Sequence, residues 1–227
     1  MVSLCERRSR CGFRLGQLCL DHGGAQCRSP CERDRVPIGG LIMTEIFPRL
    51  ESKRLSLTVL ELSDAQRLFE IFSQQRVVEH MDIDQCPSVD EAQSIIRWTQ
   101  EIRDDETGIR WGIRLRSDVT LIGTCGFNSI VRERGSRAEI AFDLDPRFWG
   151  QGFMAEVMPH LEAYGFEVLG LRRLEAMVTP GNERSCLLLE RHGFQREGIL
   201  RDYARWKGQF WDQWIYAKLR GEGRAAT

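Results

Sequence analysis

Asp145-Pro146-Arg147-Phe148-Trp149-Gly150-Gln151-Gly152-Phe153-Met154-Ala155-Glu156 is the stretch on which the reading of this chain turns. It follows an alternating segment, Ala138-Glu139-Ile140-Ala141-Phe142-Asp143-Leu144, that reads as a strand, and it opens a helix at the glycines of 150–152. Glycine lets a backbone turn tightly and approach a ligand closely, while the free N–H groups of a helix's first turn point at that ligand. The helix dipole adds a fixed positive potential. Strand, glycine loop and helix together make an anion site, and a pyrophosphate is its natural occupant. Two glycines before a helix can also be no more than a structural turn, so the flanking sequence has to decide.

Working outward, Leu55, Leu57 and Val59 alternate with polar residues and predict a first strand near 53–60. Ser63 or Asp64 caps a helix carrying Ala65, Leu68, Phe69 and Phe72 at helical spacing. Ser88 and Glu91 form a capping-box pattern ahead of a second helix with Ile95, Ile96, Trp98, Thr99 and Ile102. Three strands then follow closely, Arg110–Leu115, Thr120–Ile130 and Arg137–Leu144, linked by short polar turns. Beyond the glycine loop come a strand at Leu174–Val178, a helix over about 183–192 stopped by Gly193, and two strands near 194–200 and 209–218 joined at Lys207-Gly208. Such irregular interleaving predicts an α+β fold on a central, mixed but mostly antiparallel sheet of about seven strands with about four helices. Pro159 lies inside the helix after the loop, where a kink or a lost hydrogen bond near Ala155 is expected.

The chain has 227 residues, 42% hydrophobic and 29% charged, with a net charge of −1, and nothing global points to nucleic acid or an anionic membrane. No apolar run approaches the ~18 residues that cross a bilayer. Five of the eight cysteines, Cys5, Cys11, Cys19, Cys27 and Cys31, crowd a front segment that is rich in arginine and lacks a C-x2-C pair. Residues 1–42 hold no sustained period and read as a disordered extension, with the domain at 43–227 and a candidate true start at Met43. A transit peptide is the other reading of that segment, and Glu6 and Asp21 speak against it.

About 30 residues past the loop stand Pro180-Gly181-Asn182-Glu183-Arg184-Ser185 and then Leu188-Leu189-Glu190-Arg191-His192-Gly193-Phe194. The order of these elements resembles the GNAT superfamily of N-acyltransferases over essentially all of 50–220. The W-G-x-G-F loop, the N-x-x-S element, the G-F strand start and the hairpin Trp206-Lys207-Gly208-Gln209-Phe210-Trp211-Asp212 look most like the branch acetylating ribosomal-protein N-termini. The resemblance implies a sheet splayed between its fourth and fifth strands, where the pantetheine arm of acetyl-CoA pairs with the strand edge near Phe142 and Leu144. It implies that Gly150, Gln151, Gly152, Phe153, Met154 and Ala155 hold the pyrophosphate through backbone amides, that Asn182 bonds the pantetheine arm, and that Ser185 lies near the thiol sulfur.

Two departures from the family pattern matter. Trp149 and Met154 replace the usual first and last residues of the loop, and Leu189 stands where many members carry a tyrosine acid. Ser185, or a water it holds, therefore becomes the candidate proton donor to the leaving thiolate. Glu139 is the candidate base or water-orienting group, against a plain reading as a solvent-facing strand carboxylate. Asn182 can serve as a helix N-cap with or without a ligand. His80, His192 and Cys186 lack the partners of a triad or metal site. The chain is thus expected to be a cytoplasmic acetyltransferase using acetyl-CoA and no metal, a monomer or homodimer acting on a protein N-terminus. A small-molecule amine is the alternative acceptor, and a non-catalytic CoA-binding module the alternative class.

Overall fold

Leu55 and Leu57 are fully buried, and Ser56 between them is buried on the other face, so the alternation seen in sequence separates two covered faces, with Thr58 half-buried at the end. The computed structural model describes residues 47–222; the expectations about residues 1–42 and a start at Met43 lie outside them. The strands are β1 (Leu50–Glu51), β2 (Leu55–Thr58), β3 (Ile109–Leu115), β4 (Leu121–Val131), β5 (Arg137–Leu144), β6 (Arg173–Val178), β7 (Gln195–Trp206) and β8 (Gln209–Leu219). The helices are α1 (Ala65–Phe72), α2 (Gln75–Val78), α3 (Val89–Asp104), α4 (Phe153–Ala163) and α5 (Glu183–Arg191).

One eight-stranded sheet runs β1-β2-β3-β4-β5-β6-β8-β7. All neighbours pair antiparallel except β5 and β6, which are parallel. The strand more than expected is the two-residue β1, too short to leave a period. Trp111, Phe127, Ile140, Val157, Leu161, Leu174, Leu189 and Tyr216 build the main core between the sheet and α4 and α5. A second cluster packs α1, the short α2 and α3 through Leu68, Ile71, Phe72, Val78 and Ile96. Ser88 caps α3 by accepting from the Glu91 N–H at 3.2 Å. Helix α4 runs through Pro159 without ending, and a π-helical turn follows it at Tyr164–Val168.

Candidate active site

The β5–β6 ladder holds only three pairs, Arg137↔Arg173, Ala138↔Leu174 and Glu139↔Glu175. Past them β5 continues to Leu144 on β4, and β6 continues to Val178 on β8, so the two strands part. The Ser136 carbonyl accepts from the Arg172 and Arg173 N–H groups on the β6 side, whereas the Asp145 N–H donates to Ile122 on the β4 side. Alternation along the strand then turns the main-chain groups of Ile140, Phe142 and Leu144 into the gap. The Leu144 carbonyl is filled by the Trp149 indole N–H at 2.8 Å. Trp149 thus folds back over the end of its own strand.

The loop itself hangs on Asp145, whose side chain is fully buried. It accepts from the Arg147 N–H at 2.9 Å and from the Arg147 guanidinium, and it pairs with Arg67 of α1. Burial alone would raise this carboxyl; the bonds from Arg147 and Arg67 outweigh it and hold the pKa at about 2. After a 3-10 turn at Pro146–Phe148, Gly150 (φ 73°) and Gly152 (φ 75°) take the left-handed conformation that side chains resist. A Cβ on Gly150 would meet nothing within 4 Å, and one on Gly152 would meet only the Arg54 guanidinium at 3.8 Å. The space above both glycines is therefore open on the outer side. Gly152 is the N-cap of α4 and no side chain caps that helix, so the first-turn amides of Phe153, Met154 and Ala155 are left to a ligand or water. Phe153 and Met154 bury their side chains, which fixes the turn, while Gln151 and Ala155 are exposed.

Across the mouth of the gap, at the C-terminal end of β6, Asn182 caps α5 by accepting from the Ser185 N–H at 3.3 Å. Its amide nitrogen remains as a donor. Ser185 is half-buried in the first turn, and Arg184 stacks over Trp149 at 4.4 Å, so the two loops that follow the parallel strands meet here. That is the position at which parallel sheets hold ligands, outside the carboxyl ends of strands where the order of connection changes. Leu189 is fully buried in the main core and can bring no acid to the site. Burial pushes the Cys186 thiol up, which disfavours the thiolate a nucleophile needs.

A family model described as an acetyltransferase (GNAT) domain matches residues 54–195, the span from β2 to the start of β7. The chain belongs to the GNAT acetyltransferases. Among curated relatives, the uncharacterized N-acetyltransferase YoaA of Bacillus subtilis is 38% identical over 175 residues, covering 77% of this chain and 98% of that protein. The ribosomal protein uS5-alanine N-acetyltransferase of Escherichia coli is 26% identical, covering 74% of this chain and 89% of its own length. Among solved structures, Mycobacterium smegmatis RimJ in complex with CoA-disulfide superposes with a TM-score of 0.69 at 20% identity, covering 76% and 85% of the two chains. This GNAT domain is accordingly an acyl-CoA-dependent N-acetyltransferase. No helix among the described residues is long and apolar enough to cross a membrane.

Glu139 of the domain stands at the last β5–β6 pair, half-buried, where the strands begin to part. Three features of the site rest on contacts between residues far apart in sequence. Arg54 bonds Glu156 of α4 through both its main-chain N–H (2.7 Å) and its guanidinium (2.6 Å), donates to the Gln151 carbonyl (3.1 Å), and lies 4.1 Å over the Phe153 ring. Ser52 adds a third bond to Glu156 at 2.6 Å, so the turn between β1 and β2 staples the first turn of α4. Burial opposes ionisation of Glu156, and these donors overcome it and lower the pKa. Second, Asp143 is buried and accepts from Arg110 (3.1 Å) and from the Thr124 hydroxyl (2.5 Å) and N–H (3.0 Å), which pins the diverging part of β5 to β4. Third, α2 and the residues after it wrap the mouth, with Arg76 5.2 Å over Trp149. The only local signal for any of them was charge, whose partners lie far off in sequence.

A substitution tests the loop. Gly152→Asp puts a carboxylate and a strained left-handed Cβ at the open face of the helix start. Affinity for CoA is expected to fall tenfold or more, at least about 1.4 kcal/mol, with the circular dichroism spectrum unchanged. Unaltered affinity by calorimetry would remove the loop from the binding site.

Proposed function

We propose that this domain transfers the acetyl group of acetyl-CoA to the N-terminal α-amine of a protein or peptide. The observation that carries the reading is the parting of β5 from β6 beside an uncapped helix start, which leaves a strand edge and an anion site in line. In this reading the main-chain groups of Phe142 and the N–H of Leu144 pair with the pantetheine arm, the Leu144 carbonyl being already taken. The amides from Gly150 to Ala155 hold the pyrophosphate, and the Asn182 side-chain nitrogen donates to a pantetheine carbonyl while its oxygen caps α5.

Acyl transfer to an amine needs a neutral nucleophile, a polarised thioester carbonyl and a proton for the departing sulfur. Glu139, at the point of divergence, takes the proton of the ammonium directly or through a water. The amine nitrogen bonds to the thioester carbon and the C–S bond breaks; Ser185, or a water it orients, protonates the sulfur and regains a proton from the N–H that the new amide nitrogen loses. The products are an N-acetylated acceptor and the free thiol. A protein N-terminus is favoured as acceptor by the likeness to the uS5-alanine enzyme and by the W-G-x-G-F loop and hairpin motifs.

The test is thiol release from acetyl-CoA against peptides beginning with Ala or Ser, polyamines and amino acid derivatives. Turnover with peptides, with kcat/KM at least tenfold above any small amine, is the expected result. Turnover confined to small amines would overturn the peptide reading. Tight CoA binding with no turnover on any acceptor would overturn acetyl transfer itself.

A further inference from the structure

The segment 75–86 touches the β5–α4 loop, the β6–α5 loop and the tip of the β7–β8 hairpin. Arg76 at its start lies over Trp149 of the β5–α4 loop. The His80 carbonyl accepts from the Thr179 hydroxyl at 2.9 Å, and the same hydroxyl accepts from the buried Gln213 amide at 3.0 Å, which ties the segment to the β6–α5 loop and to β8. The His80 ring lies against Gly181, one residue before the N-cap Asn182, within 3.5 Å of where a Cβ would stand.

The third tie comes from the far tip of the β7–β8 hairpin. Lys207 reaches back and donates to the carbonyls of Val78 (2.5 Å), Glu79 (3.3 Å) and Met81 (3.2 Å). An ammonium has three donors, and here all three are spent on one short stretch of main chain. Val78 ends α2, a four-residue helix far too short to persist by itself, and its carbonyl also accepts from the Met81 N–H at 3.0 Å; Glu79 and Met81 lie beyond the helix. Val77 and Val78 anchor the segment below, in the cluster with α1 and α3, but the stretch from Glu79 to Gln85 is mostly exposed or half-buried. Met81 and Ile83 pack against that cluster and Gln85 donates to the Ser73 carbonyl at 2.7 Å, while Lys207 and Thr179 supply the ties on the side of the mouth. Burial lowers the Lys207 pKa, while Asp84, Asp82 and Glu79 around it act in the opposite sense and favour the charged form.

We propose that Lys207 is a positioning residue for the amine acceptor: it fastens the segment 75–86 as one wall of the acceptor entrance, against the hairpin that forms the other. This rests on the acetyl-transfer reading of the gap. The neighbouring Trp206 and Trp211 rings, stacked at 5.5 Å, stiffen the tip from which the lysine reaches. Without the ammonium, the carbonyls of 78–81 turn to water and the wall loses its place. The acetyl-CoA side, built on the glycine loop and α5, keeps its own anchors.

The experiment compares the full chain with Lys207→Met and Lys207→Arg. Hydrogen exchange by mass spectrometry reads the peptides covering 76–86, calorimetry reads CoA binding, and steady-state thiol release with an Ala-initiated peptide reads the acceptor KM. Lys207→Met is expected to raise the acceptor KM about tenfold and speed exchange across 78–86, with CoA affinity within twofold of the parent. Lys207→Arg keeps the charge but replaces a compact three-donor group by a planar fork, and is expected to recover part of both losses. Unchanged exchange in 78–86, or faster exchange with an unchanged acceptor KM, would overturn the proposal. If the methionine variant proves unfolded, the arginine variant decides: parental exchange and KM in a folded protein would show that the three-point contact positions nothing. A parent chain that binds CoA but releases no thiol with any acceptor would count against the acetyl-transfer reading, whereas the exchange comparison still judges the clamp.

Discussion

Ser185→Ala is expected to lower the rate of acetyl transfer ten- to a thousandfold while leaving acetyl-CoA binding nearly unchanged. A hydroxyl bonded to a neutral thioester sulfur gains little, but one bonded to a developing thiolate is charge-assisted, so its loss falls on the transition state. A thousandfold lies inside the range of about 10²–10⁴-fold that one positioned proton-transfer group supplies. Leu189 is fully buried where many members of the superfamily carry a tyrosine, so that position supplies no phenol here. The backbone of Ser185 is held by Asn182 whatever its side chain, so alanine removes the hydroxyl without releasing the helix start. Single-turnover kinetics and a CoA isotherm for each variant make the comparison. Parental turnover in Ser185→Ala would mean that solvent protonates the sulfur.

The second large effect falls on stability. Asp145→Asn is expected to cost about 3 kcal/mol, because it removes one member of a buried ion pair and leaves Arg67 facing a neutral amide. Arg67 keeps Glu70 and the Leu121 carbonyl as partners, which places the cost at the lower end of such breaks. For a chain of this size that corresponds to a fall of roughly 6–12 °C in the melting temperature. The pH dependence has a definite sign. The folded pKa of about 2 lies below the ordinary carboxylate value of about 3.9, so the contribution is full above that value. It is lost as pH falls from about 4 through 2, when the folded state must also take up the proton. Acid unfolding of Asp145→Asn should lack that share of the slope. A parental acid limb in the variant would show that Asp145 contributes nothing through its charge.

How much of this was visible beforehand differs element by element. The order of strands and helices, the glycine loop and the Asn182 cap followed from periods and local residue chemistry, because each is specified within a few residues. The hairpin was foreseen with its turn at Lys207-Gly208, but β7 reaches Trp206 rather than stopping near residue 200. Its register shifts between Leu200 and Ala204, and the left-handed Asp202 there breaks the alternation that reveals a strand. Helix α2 is one turn long and too short to show a 3.6-residue period. The candidate site was legible where the backbone makes it and illegible where paired charges do. Arg54 and Glu156, Arg110 and Asp143, and Lys207 and Val78 are separated by tens of residues or more, and no local pattern brings them together. Pro159 has no N–H to give the Ala155 carbonyl, as expected, and it sits on an exposed position of α4, which runs through it.

The three-pair junction between β5 and β6 has a meaning for mechanics as well as for binding. Along it the sheet is a zipper left mostly undone, with β1 to β5 on one leaf and β6, β8 and β7 on the other. Every other seam is closed by a longer ladder, except at the β1 edge. A molecule that pairs with one leaf and reaches the α5 start on the other would act as the missing teeth. Once the two-pair β1 edge has gone, such a domain pulled apart would be expected to yield next along this line, and to yield later when the gap is filled.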